Sequence, residues 1–323
     1  MNTLGSKHIN YLTDDFGIWQ HCRYYKIDEK NGYSLDDNAR ALIVAILYGE
    51  RKKAKIYVNF LDRAISEEKI VNFFGQDREP WPNRWSEDAL GQAFWALSFC
   101  RHKGILKNKC QAILERFLFR IRGFQTVRGK AYVLAASKYI ENDLVKKFAL
   151  DLVRDVGLHA TKRWFWPEAA LRYGNAIIPF SLLCAAEKLN NKYLEANALA
   201  LLIFLNKKTI KNGIAVPIGN MGWHQKGGKK ARFDQQPIDP AYSIIANIKA
   251  HEMTGDEEFL LAAKINFDWF WGKNISNQQM INIKSQSCYD GIGEEGVNRN
   301  QGAENIVCYL MAQEAIWEQI NNC

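Results

Sequence analysis

Hydrophobic and polar positions follow a repeating order along the chain, in which a polar or acidic cluster runs directly into an apolar helix rich in small residues. The order recurs at intervals of about fifty residues, which is typical of a ring or a solenoid built from helix pairs. The predicted apolar helices cover residues 39–48, 89–100, 131–140, 176–186, 238–253 and 305–317.

Each apolar helix is preceded by its own polar cluster. The clusters are Asp36-Asp37-Asn38, Ser86-Glu87-Asp88, Arg128-Gly129-Lys130, Tyr173-Gly174-Asn175, Asp234-Gln235-Gln236-Pro237 and Asn300-Gln301-Gly302-Ala303-Glu304. Their recurrence indicates that all six helices begin in a similar environment.

A second set of helices alternates with the first and carries charge on one side of an apolar stripe. These helices cover residues 51–65, 106–121, 144–156, 193–207 and 257–271. Helices that are apolar on all sides belong inside a fold, and amphipathic helices belong outside it. The pattern predicts an all-α fold, an (α/α)6 toroid of about six helical hairpins, with the N-terminal segment as outer partner of the last inner helix.

Composition favours one cytoplasmic domain over residues 1–323. No Pro/Gly/Ser-rich linker or charge block divides the repeat. The seven cysteines are odd in number and form no CxxC pair, which favours reduced thiols. The N-terminus has no signal-peptide apolar core, and the longest apolar runs are too short to span a membrane.

The basic composition does not by itself predict nucleic-acid binding. The formal net charge is +8, but Lys and Arg are spread over the outer helices and only residues 226–232 form a compact basic run. No nucleic-acid-binding motif is present. We expect no nucleic-acid partner, while an acidic or phosphorylated substrate stays open because the basic run precedes Asp234.

Motifs for other chemistries are missing from the sequence. The six histidines show no HxH or HExxH spacing, and no Cys-His cluster has the spacing of metal ligands. There is no P-loop, no GxGxxG after a strand and no GxSxG elbow. We therefore expect no metal and no cofactor, and carboxylate chemistry remains.

The predicted ring places the polar clusters together. All inner helices of such a ring point the same way, so their N-termini converge on one end of the central cavity, where the helix dipoles lower carboxylate pKa values unless burial opposes them. Ser34 and Ser86 are predicted N-caps, and capping alone accounts for any single acid nearby. We expect Asp37, Asp88 and Asp234 to line one cavity.

Tryptophans accompany several of these acids, as in the loops 81–85 and 164–168. Aromatic faces stack on the C–H faces of a sugar, while carboxylates and amides bind its hydroxyls. The tryptophans expected at a sugar-lined cavity are Trp19, Trp85, Trp164, Trp166 and Trp223. Those expected in the core are Trp95, Trp269, Trp271 and Trp317.

The clusters quoted above, extended to Asp36–Leu42, Glu87–Gly91, Phe233–Pro237 and Asn300–Glu304, carry a resemblance over almost the whole chain. The sequence resembles the six-hairpin (α/α)6 glycosidase superfamily, especially the helical domain associated with bacterial glycosyltransferases and mannoside-processing enzymes. The resemblance implies the toroid and a carbohydrate substrate. Its members include hydrolases, phosphorylases, epimerases and unsaturated-uronide hydrolases, so it leaves the reaction open.

The favoured hypothesis is an inverting glycoside hydrolase acting on an oligosaccharide, with mannose-containing glycans as candidates. It needs two carboxyl groups about 6.5–9.5 Å apart, drawn from different helices because adjacent aspartates lie too close together. The catalytic candidates are Asp36, Asp37, Glu87 and Asp88, with Glu168, Asp234 and Glu304 in reserve. The substrate-binding candidates are Asp14, Asp15, Trp19, His21, Arg40, Trp85, Trp164, Trp166, Tyr173, Asn175, Trp223, Gln235, Gln236, Asn300 and Gln301.

Three alternatives stay open. A phosphorylase would bind phosphate at cations such as Arg40, Lys229, Lys230 and Arg232. A sugar epimerase would favour histidine bases, and only His21 and His224 lie in the candidate loops. A non-catalytic carbohydrate-binding domain would serve a glycosyltransferase partner.

Overall fold

The computed structural model describes residues 6–82 and 85–321, a part of the chain that contains twelve α-helices. They are α1 Ser6–Leu12, α2 Leu35–Leu47, α3 Arg51–Ala64, α4 Glu87–His102, α5 Lys107–Ile121, α6 Val127–Ala135, α7 Asn142–His159, α8 Ile177–Leu189, α9 Lys192–Thr209, α10 Ile238–Thr254, α11 Glu257–Phe270 and α12 Ala303–Asn321. Two 3-10 helices cover Glu29–Asn31 and Ser137–Tyr139.

The even-numbered helices form a closed inner ring. Each of α2, α4, α6, α8, α10 and α12 packs against the next, and α12 packs back against α2. Outside them α3, α5 and α9 pack on α2, α4 and α8, α7 packs on α6 and α8, and α11 packs on α10 and α12. The short α1 also packs on α12. The predicted all-α toroid is confirmed: the inner ring closes through α12 and α2, and the N-terminal helix α1 packs on α12.

The two sets of helices differ in burial as their sequences predict. Helix α4 is buried at every position from 89 to 100, whereas α5 buries only positions 110, 113, 114, 117 and 121, which lie on one face of the helix. An inner helix is covered on all sides, while an outer helix exposes its charged face to solvent.

Hydroxyl side chains start three of the inner helices. The Oγ atom of Ser34 accepts a hydrogen bond from Asp37 N at 3.3 Å, and Ser86 Oγ accepts one from Ala89 N at 3.2 Å. Thr126 caps α6 in the same way. Such caps satisfy backbone donors that have no partner inside the helix.

One inner helix is shorter than predicted. Helix α6 ends at Ala135, and the chain continues as the 3-10 helix Ser137–Tyr139, although the apolar run extends to 140. The hydroxyl of Ser137 donates to the carbonyl of Leu134, a local bond that competes with continuation of the helix.

The connecting loops contain short strands that the sequence pattern did not predict. They are β1 Cys22–Arg23, β2 Lys26–Ile27, β3 Tyr33–Ser34, β4 Phe73–Phe74, β5 Ala170–Leu171, β6 Ile210–Lys211, β7 Ile214–Ala215, β8 His224–Gln225, β9 Ile281–Asn282, β10 Ser287–Cys288, β11 Gly291–Gly293 and β12 Gly296–Asn298. The antiparallel pairs are β1–β2, β3–β4, β5–β8, β6–β7, β9–β10 and β11–β12.

A backbone bridge joins the loops before α10 and α12. Gln235 N donates to Ile292 O at 3.1 Å, and Ile292 N donates to Gln235 O at 2.9 Å. A Cβ atom on Gly291 would lie 2.3 Å from Gln235 O, so glycine permits this close approach.

The core predictions for tryptophan are right for two residues and wrong for two. Trp95 and Trp269 are buried, whereas Trp271 and Trp317 are each 39% exposed. Trp271 and Trp317 lie at or near helix C-termini, where the indole side chain can reach solvent. Of the helices described, none is long and apolar enough to cross a membrane. The six cysteines within the described ranges are free thiols; Cys323 lies outside them.

Candidate active site at the mouth of the ring

The N-terminal ends of the inner helices surround a cavity of about 240 Å³. It is lined by Asp36, Arg40, Asn72, Phe73, Ser86, Asp88, Ala89, Gln92, Tyr132, Tyr173, Ile238 and Glu304. Three of these residues are carboxylates that come from three different helices, α2, α4 and α12. Residues far apart in sequence therefore meet at the place where the helix direction predicts a site.

A positional rule relates these side chains. The second residue of an inner helix is charged in five cases of six: Asp36, Asp88, Arg128, Asp239 and Glu304. Helix α8 is the exception, with Ile178. Three or four residues later, about one turn or 5.4 Å deeper, come Arg40, Gln92, Tyr132, Tyr242 and Cys308. The mouth of the ring thus has a charged upper layer and a second layer beneath it.

Arg40 organises the first group, which we call the Arg40 cluster: Arg40, Asp36, Asp37, Gln92 and Glu304. Its Nη2 atom donates to Asp36 Oδ2 at 3.1 Å, to Asp37 Oδ1 at 2.8 Å and to Glu304 Oε2 at 2.9 Å, while Nη1 donates to Gln92 Oε1 at 2.9 Å. One oxygen of each carboxylate lies within 4.8 Å of the others, a geometry that can hold a metal ion. The guanidinium already supplies a positive charge to all three oxygens.

The Arg40 cluster contains more negative than positive charge, and burial is the main cause of the raised pKa values of its acids. Burial raises the pKa of Glu304 to about 7, against the opposing effect of Arg40. Burial, and then the charge of Asp36, raise the pKa of Asp37. The helix dipole was expected to lower these pKa values, but desolvation inside the ring outweighs it. The side chain of Glu304 nevertheless stays 34% exposed, so it can meet a ligand.

The two neighbouring aspartates have different roles. Asp37 is buried, and its Oδ2 atom accepts a hydrogen bond from Ser34 Oγ at 2.7 Å. The side chain of Asp36 is 31% exposed and lines the cavity. Asp36 is therefore the accessible member of the pair, and Asp37 supports Arg40 from below.

Asp88 faces the same cavity from α4. Its Oδ2 atom accepts a hydrogen bond from the Tyr173 hydroxyl at 2.5 Å. Burial raises the pKa of Asp88, while the Tyr173 bond opposes that effect. The preceding residue, Glu87, instead accepts bonds from Gln125 N, Thr126 N and Thr126 Oγ1. Glu87 therefore fixes the start of α6.

A second group, the Arg128 cluster, consists of Arg128, Glu168, Tyr173, Asn175 and Asp239. Arg128 Nη1 donates to both Glu168 oxygens, at 2.9 and 2.8 Å, and Nε donates to the Tyr173 carbonyl at 2.8 Å. Asp239 accepts bonds from Asn175 N and Nδ2, both at 3.4 Å. Burial raises the pKa of Asp239 to about 7.

The remaining acidic candidates lie apart from the cavity lining. Asp14 accepts a bond from the Tyr33 hydroxyl at 2.6 Å, and Asp15 forms an exposed ion pair with Arg78. Asp234 does not line the cavity, and its charge acts on Asp290, whose pKa is raised mainly by burial. Of the three aspartates expected in one cavity, only Asp88 lines it.

The tryptophans do not converge on the cavity as their loops suggested. Trp164 and Trp166 are buried and pack against Phe204 of α9. Trp85 is 43% exposed, and Trp19 lies against the ring of Tyr33.

Trp223 is the tryptophan that adjoins the cavity wall. Its ring centroid lies 6.1 Å from that of Tyr173, which lines the cavity and is 36% exposed. The other aromatic contribution to the lining comes from Tyr132 and Phe73.

The amide candidates hold the loops together. Gln235 Oε1 accepts a bond from Trp269 Nε1 at 3.0 Å, and Asn300 Oδ1 accepts one from Tyr24 N at 2.8 Å. Gln301 Oε1 accepts a bond from Ser285 Oγ at 3.0 Å. Gln236 accepts a bond from Asp239 N through its backbone carbonyl.

The histidines considered for an epimerase lie outside the cavity lining. His21 is exposed and its charge acts on Asp290. His224 is buried edge-on to Trp164, and burial lowers its pKa. Among the described residues that line the cavity there is no histidine.

Sequence reasoning missed Gln92, Tyr132, Tyr242 and Asp239. All four follow from the positional rule, because Gln92, Tyr132 and Tyr242 lie three or four residues after a charged second position and Asp239 occupies one. The signal was available once each helix start was fixed. Tyr242 lies in an apolar run and resembles a core residue.

No family model matches the sequence, and no curated protein matches it. Solved structures match over nearly their whole length. A sugar epimerase from a ruminal bacterium is 14% identical with a TM-score of 0.74, covering 96% of this chain and 95% of that one. A D-mannose isomerase is 14% identical with a TM-score of 0.74, covering 99% and 96%.

A GH76 α-mannanase from Bacteroides thetaiotaomicron also matches, with 10% identity, a TM-score of 0.64 and coverage of 99% of this chain and 96% of that one. Identities this low establish the fold alone. The chain therefore has the (α/α)6 toroid fold shared by these epimerase, isomerase and mannanase structures.

Proposed function

We propose that this protein is a carbohydrate-active enzyme, specifically a glycoside hydrolase that cleaves an oligosaccharide by the inverting route. One observation carries the proposal: Asp36, Asp88 and Glu304, from three inner helices, line a single cavity. Burial raises the pKa values of Asp88 and Glu304, and carboxyl groups with raised pKa values suit acid–base chemistry near neutral pH.

Glu304 is the proposed proton donor. With a pKa of about 7, a substantial fraction of it carries a proton at neutral pH. It gives that proton to the glycosidic oxygen as the bond from this oxygen to the anomeric carbon breaks. The proton donor must be protonated, so we expect kcat/KM to fall as the pH rises past about 7.

Asp88 is the proposed base. It removes a proton from the water that attacks the anomeric carbon, and the hydrogen bond from Tyr173 orients its carboxylate. Helices α12 and α4 flank α2 on opposite sides, so Glu304 and Asp88 approach the cavity from two directions. Inverting catalysis needs about 6.5–9.5 Å between the two groups to admit the water. Asp36, between them, is placed to bind a sugar hydroxyl.

The phosphorylase alternative is less favoured because two of its candidate cations already have partners. Arg40 donates to three carboxylates. The Lys230 ammonium donates to the carbonyls of Lys208 and Val216 at 2.9 and 2.8 Å. Carboxylates beside Arg40 would also repel a phosphate.

An epimerase on the same fold remains the main competitor. The test is mass spectrometry of products from a panel of manno-, gluco- and uronate-containing oligosaccharides, incubated in D₂O with and without phosphate. Shortened sugars, formed equally without phosphate, support the hydrolase. Sugars of unchanged length that gain carbon-bound deuterium identify an epimerase, and sugar phosphates identify a phosphorylase.

A binding-only domain is distinguished by comparing affinity with turnover. Removal of the Glu304 carboxyl should lower turnover by about 10²–10⁴ in an enzyme, but costs a binding domain only the polar contacts of that side chain. A glycosyltransferase partner stays a prediction of the sequence, to which the similar structures add no support.

A further inference from the structure

The second layer, below the cavity mouth, contains three buried polar atoms that make no hydrogen bond of normal geometry with the described residues. They are Arg40 Nε, the Tyr132 hydroxyl and the Tyr242 hydroxyl. A buried donor left unpaired costs free energy, so such groups are usually satisfied by a ligand or a water. Three of them in one layer call for an explanation.

The three groups are neighbours. The ring centroids of Tyr132 and Tyr242 lie 6.1 Å apart, and the two rings meet edge to face. Burial raises the pKa of both tyrosines, and the charge of Arg40 opposes that rise in each. Weak hydrogen-bond contacts of Tyr242 with Tyr132 and with Arg40 also act on these pKa values, although none of them has the geometry of a normal hydrogen bond. Arg40 and Tyr132 line the cavity directly, whereas Tyr242 is buried and reaches it only through its contact with Tyr132.

Each group is a donor and therefore suits an acceptor oxygen. Arg40 Nε can only donate, and a tyrosine hydroxyl donates readily. The oxygen should carry no formal charge, because Asp36, Asp37 and Glu304 surround Arg40 and would repel an anion. A hydroxyl or ring oxygen of a neutral sugar meets both conditions.

We infer that the inner end of this cavity binds one uncharged oxygen of a terminal sugar ring, through Tyr132, Tyr242 and Arg40 Nε, so that the protein acts at chain ends. The inference rests on the proposed function. Its geometric basis is that Arg40, Gln92 and Tyr132 are buried and close the cavity one turn below its charged mouth. A volume of about 240 Å³ lies below the range of about 300–1,000 Å³ for drug-sized ligands. It suits one sugar ring better than several.

The test measures sugar binding separately from cleavage. The dissociation constants of mannose, glucose and galactose are determined by calorimetry for the wild type, Tyr132→Phe and Tyr242→Phe. Tyr309→Phe is the matched control, because this tyrosine is also buried on an inner helix but packs against Phe267 and Phe270. We expect each cavity variant to weaken binding of the preferred sugar about 5- to 10-fold, and the control to leave it unchanged.

Deoxy sugars identify the oxygen that is bound. The analogue lacking that oxygen should bind the wild type about as weakly as the parent sugar binds Tyr132→Phe, with no further loss in the variant. The Tm values of both variants should stay close to that of the wild type, because each hydroxyl makes only weak contacts within this group. Unchanged affinity together with a lowered Tm would mean that the hydroxyls hold a structural water, and would overturn the inference.

Failure of the inference and failure of the proposed function give different results. If the protein cleaves oligosaccharides but neither Phe substitution changes sugar affinity, the inference alone is overturned. The same holds if internal fragments are released before monosaccharide. Sugar affinity that falls in both variants, without any shortened product, supports the inference and overturns the hydrolase. A wild type that binds and converts no sugar contradicts both.

Discussion

The Arg40 and Arg128 clusters place two buried guanidinium groups at the same end of the ring, yet their charges are balanced differently. Arg128 has one carboxylate partner, Glu168, bound through both oxygens. Arg40 has three, of which Asp36 and Glu304 are open to the cavity. The Arg40 cluster exposes an acid with a raised pKa, Glu304, to the cavity, whereas Asp239, the acid with a raised pKa in the Arg128 cluster, is buried and does not line it. From this difference we propose that Arg128 has a structural role and that the Arg40 cluster carries the chemistry.

The largest effect should come from removing the proposed proton donor. Glu304→Gln keeps the shape of the side chain and should lower kcat by about 10²–10⁴ with little change in Tm. Glu168→Gln, the matched change in the other cluster, should lower Tm and leave kcat within about tenfold. Steady-state kinetics and thermal unfolding of both variants check this. The comparison is wrong if Glu168→Gln has the greater effect on kcat.

The next effect concerns stability and its pH dependence. Arg128→Met leaves Glu168 unpaired and should cost about 3 kcal/mol of unfolding free energy. Arg40→Met leaves three carboxylates unpaired and should cost more near pH 8, with partial recovery toward about pH 5 as these groups take up protons. Urea denaturation at both pH values separates the variants. If the unfolding free energies of the two variants changed with pH in the same way, the excess negative charge around Arg40 would have no effect on stability.

A smaller effect is expected at Asp239, the buried acid of the Arg128 cluster. Its pKa is raised from 3.8 to about 7, so the folded state binds more protons than the unfolded state between these values. The contribution of Asp239 to the free energy of unfolding is therefore most favourable at low pH and becomes less favourable as the pH rises toward 7. Asp239→Asn should remove this loss, with a gain on the order of 1–3 kcal/mol near pH 8 that disappears near pH 4. If the unfolding free energy of Asp239→Asn increased by the same amount at pH 4 and pH 8, a raised pKa of Asp239 would be contradicted.

The smallest effect should come from Asp15, which pairs with Arg78 at the surface. Exposed ion pairs contribute little, so Asp15→Asn should change kcat/KM by less than about twofold and leave Tm unchanged. A larger loss of kcat/KM would mean that Asp15 binds substrate, as its sequence context suggested.

The ring was predictable because its signal is repeated. Helix boundaries such as those of α10 and α11 follow from apolar periodicity, and Ser34 and Ser86 cap their helices as expected. Helix direction alone predicted the end of the ring at which the charged cavity lies. Both inferences depend on local sequence patterns, and the same pattern occurs at each of the six inner helices.

The inner details were not predictable because they depend on contacts between distant segments. Asp36 and Asp37 are adjacent, and only the neighbouring helices decide which of them faces the cavity. Trp166 is buried by Phe204 of α9, a contact that no local pattern encodes. Tyr242 resembles a core residue until its unpaired hydroxyl is seen.

The most direct test is a crystal structure of the Glu304→Gln variant soaked with the neutral oligosaccharide that the wild type converts. The account predicts a terminal sugar ring against Tyr132, Tyr242 and Arg40, with the glycosidic oxygen beside residue 304. A sugar bound at Arg128 and Glu168, or in the groove between α5 and α7 lined by Leu114, Leu118 and Leu144, would contradict it.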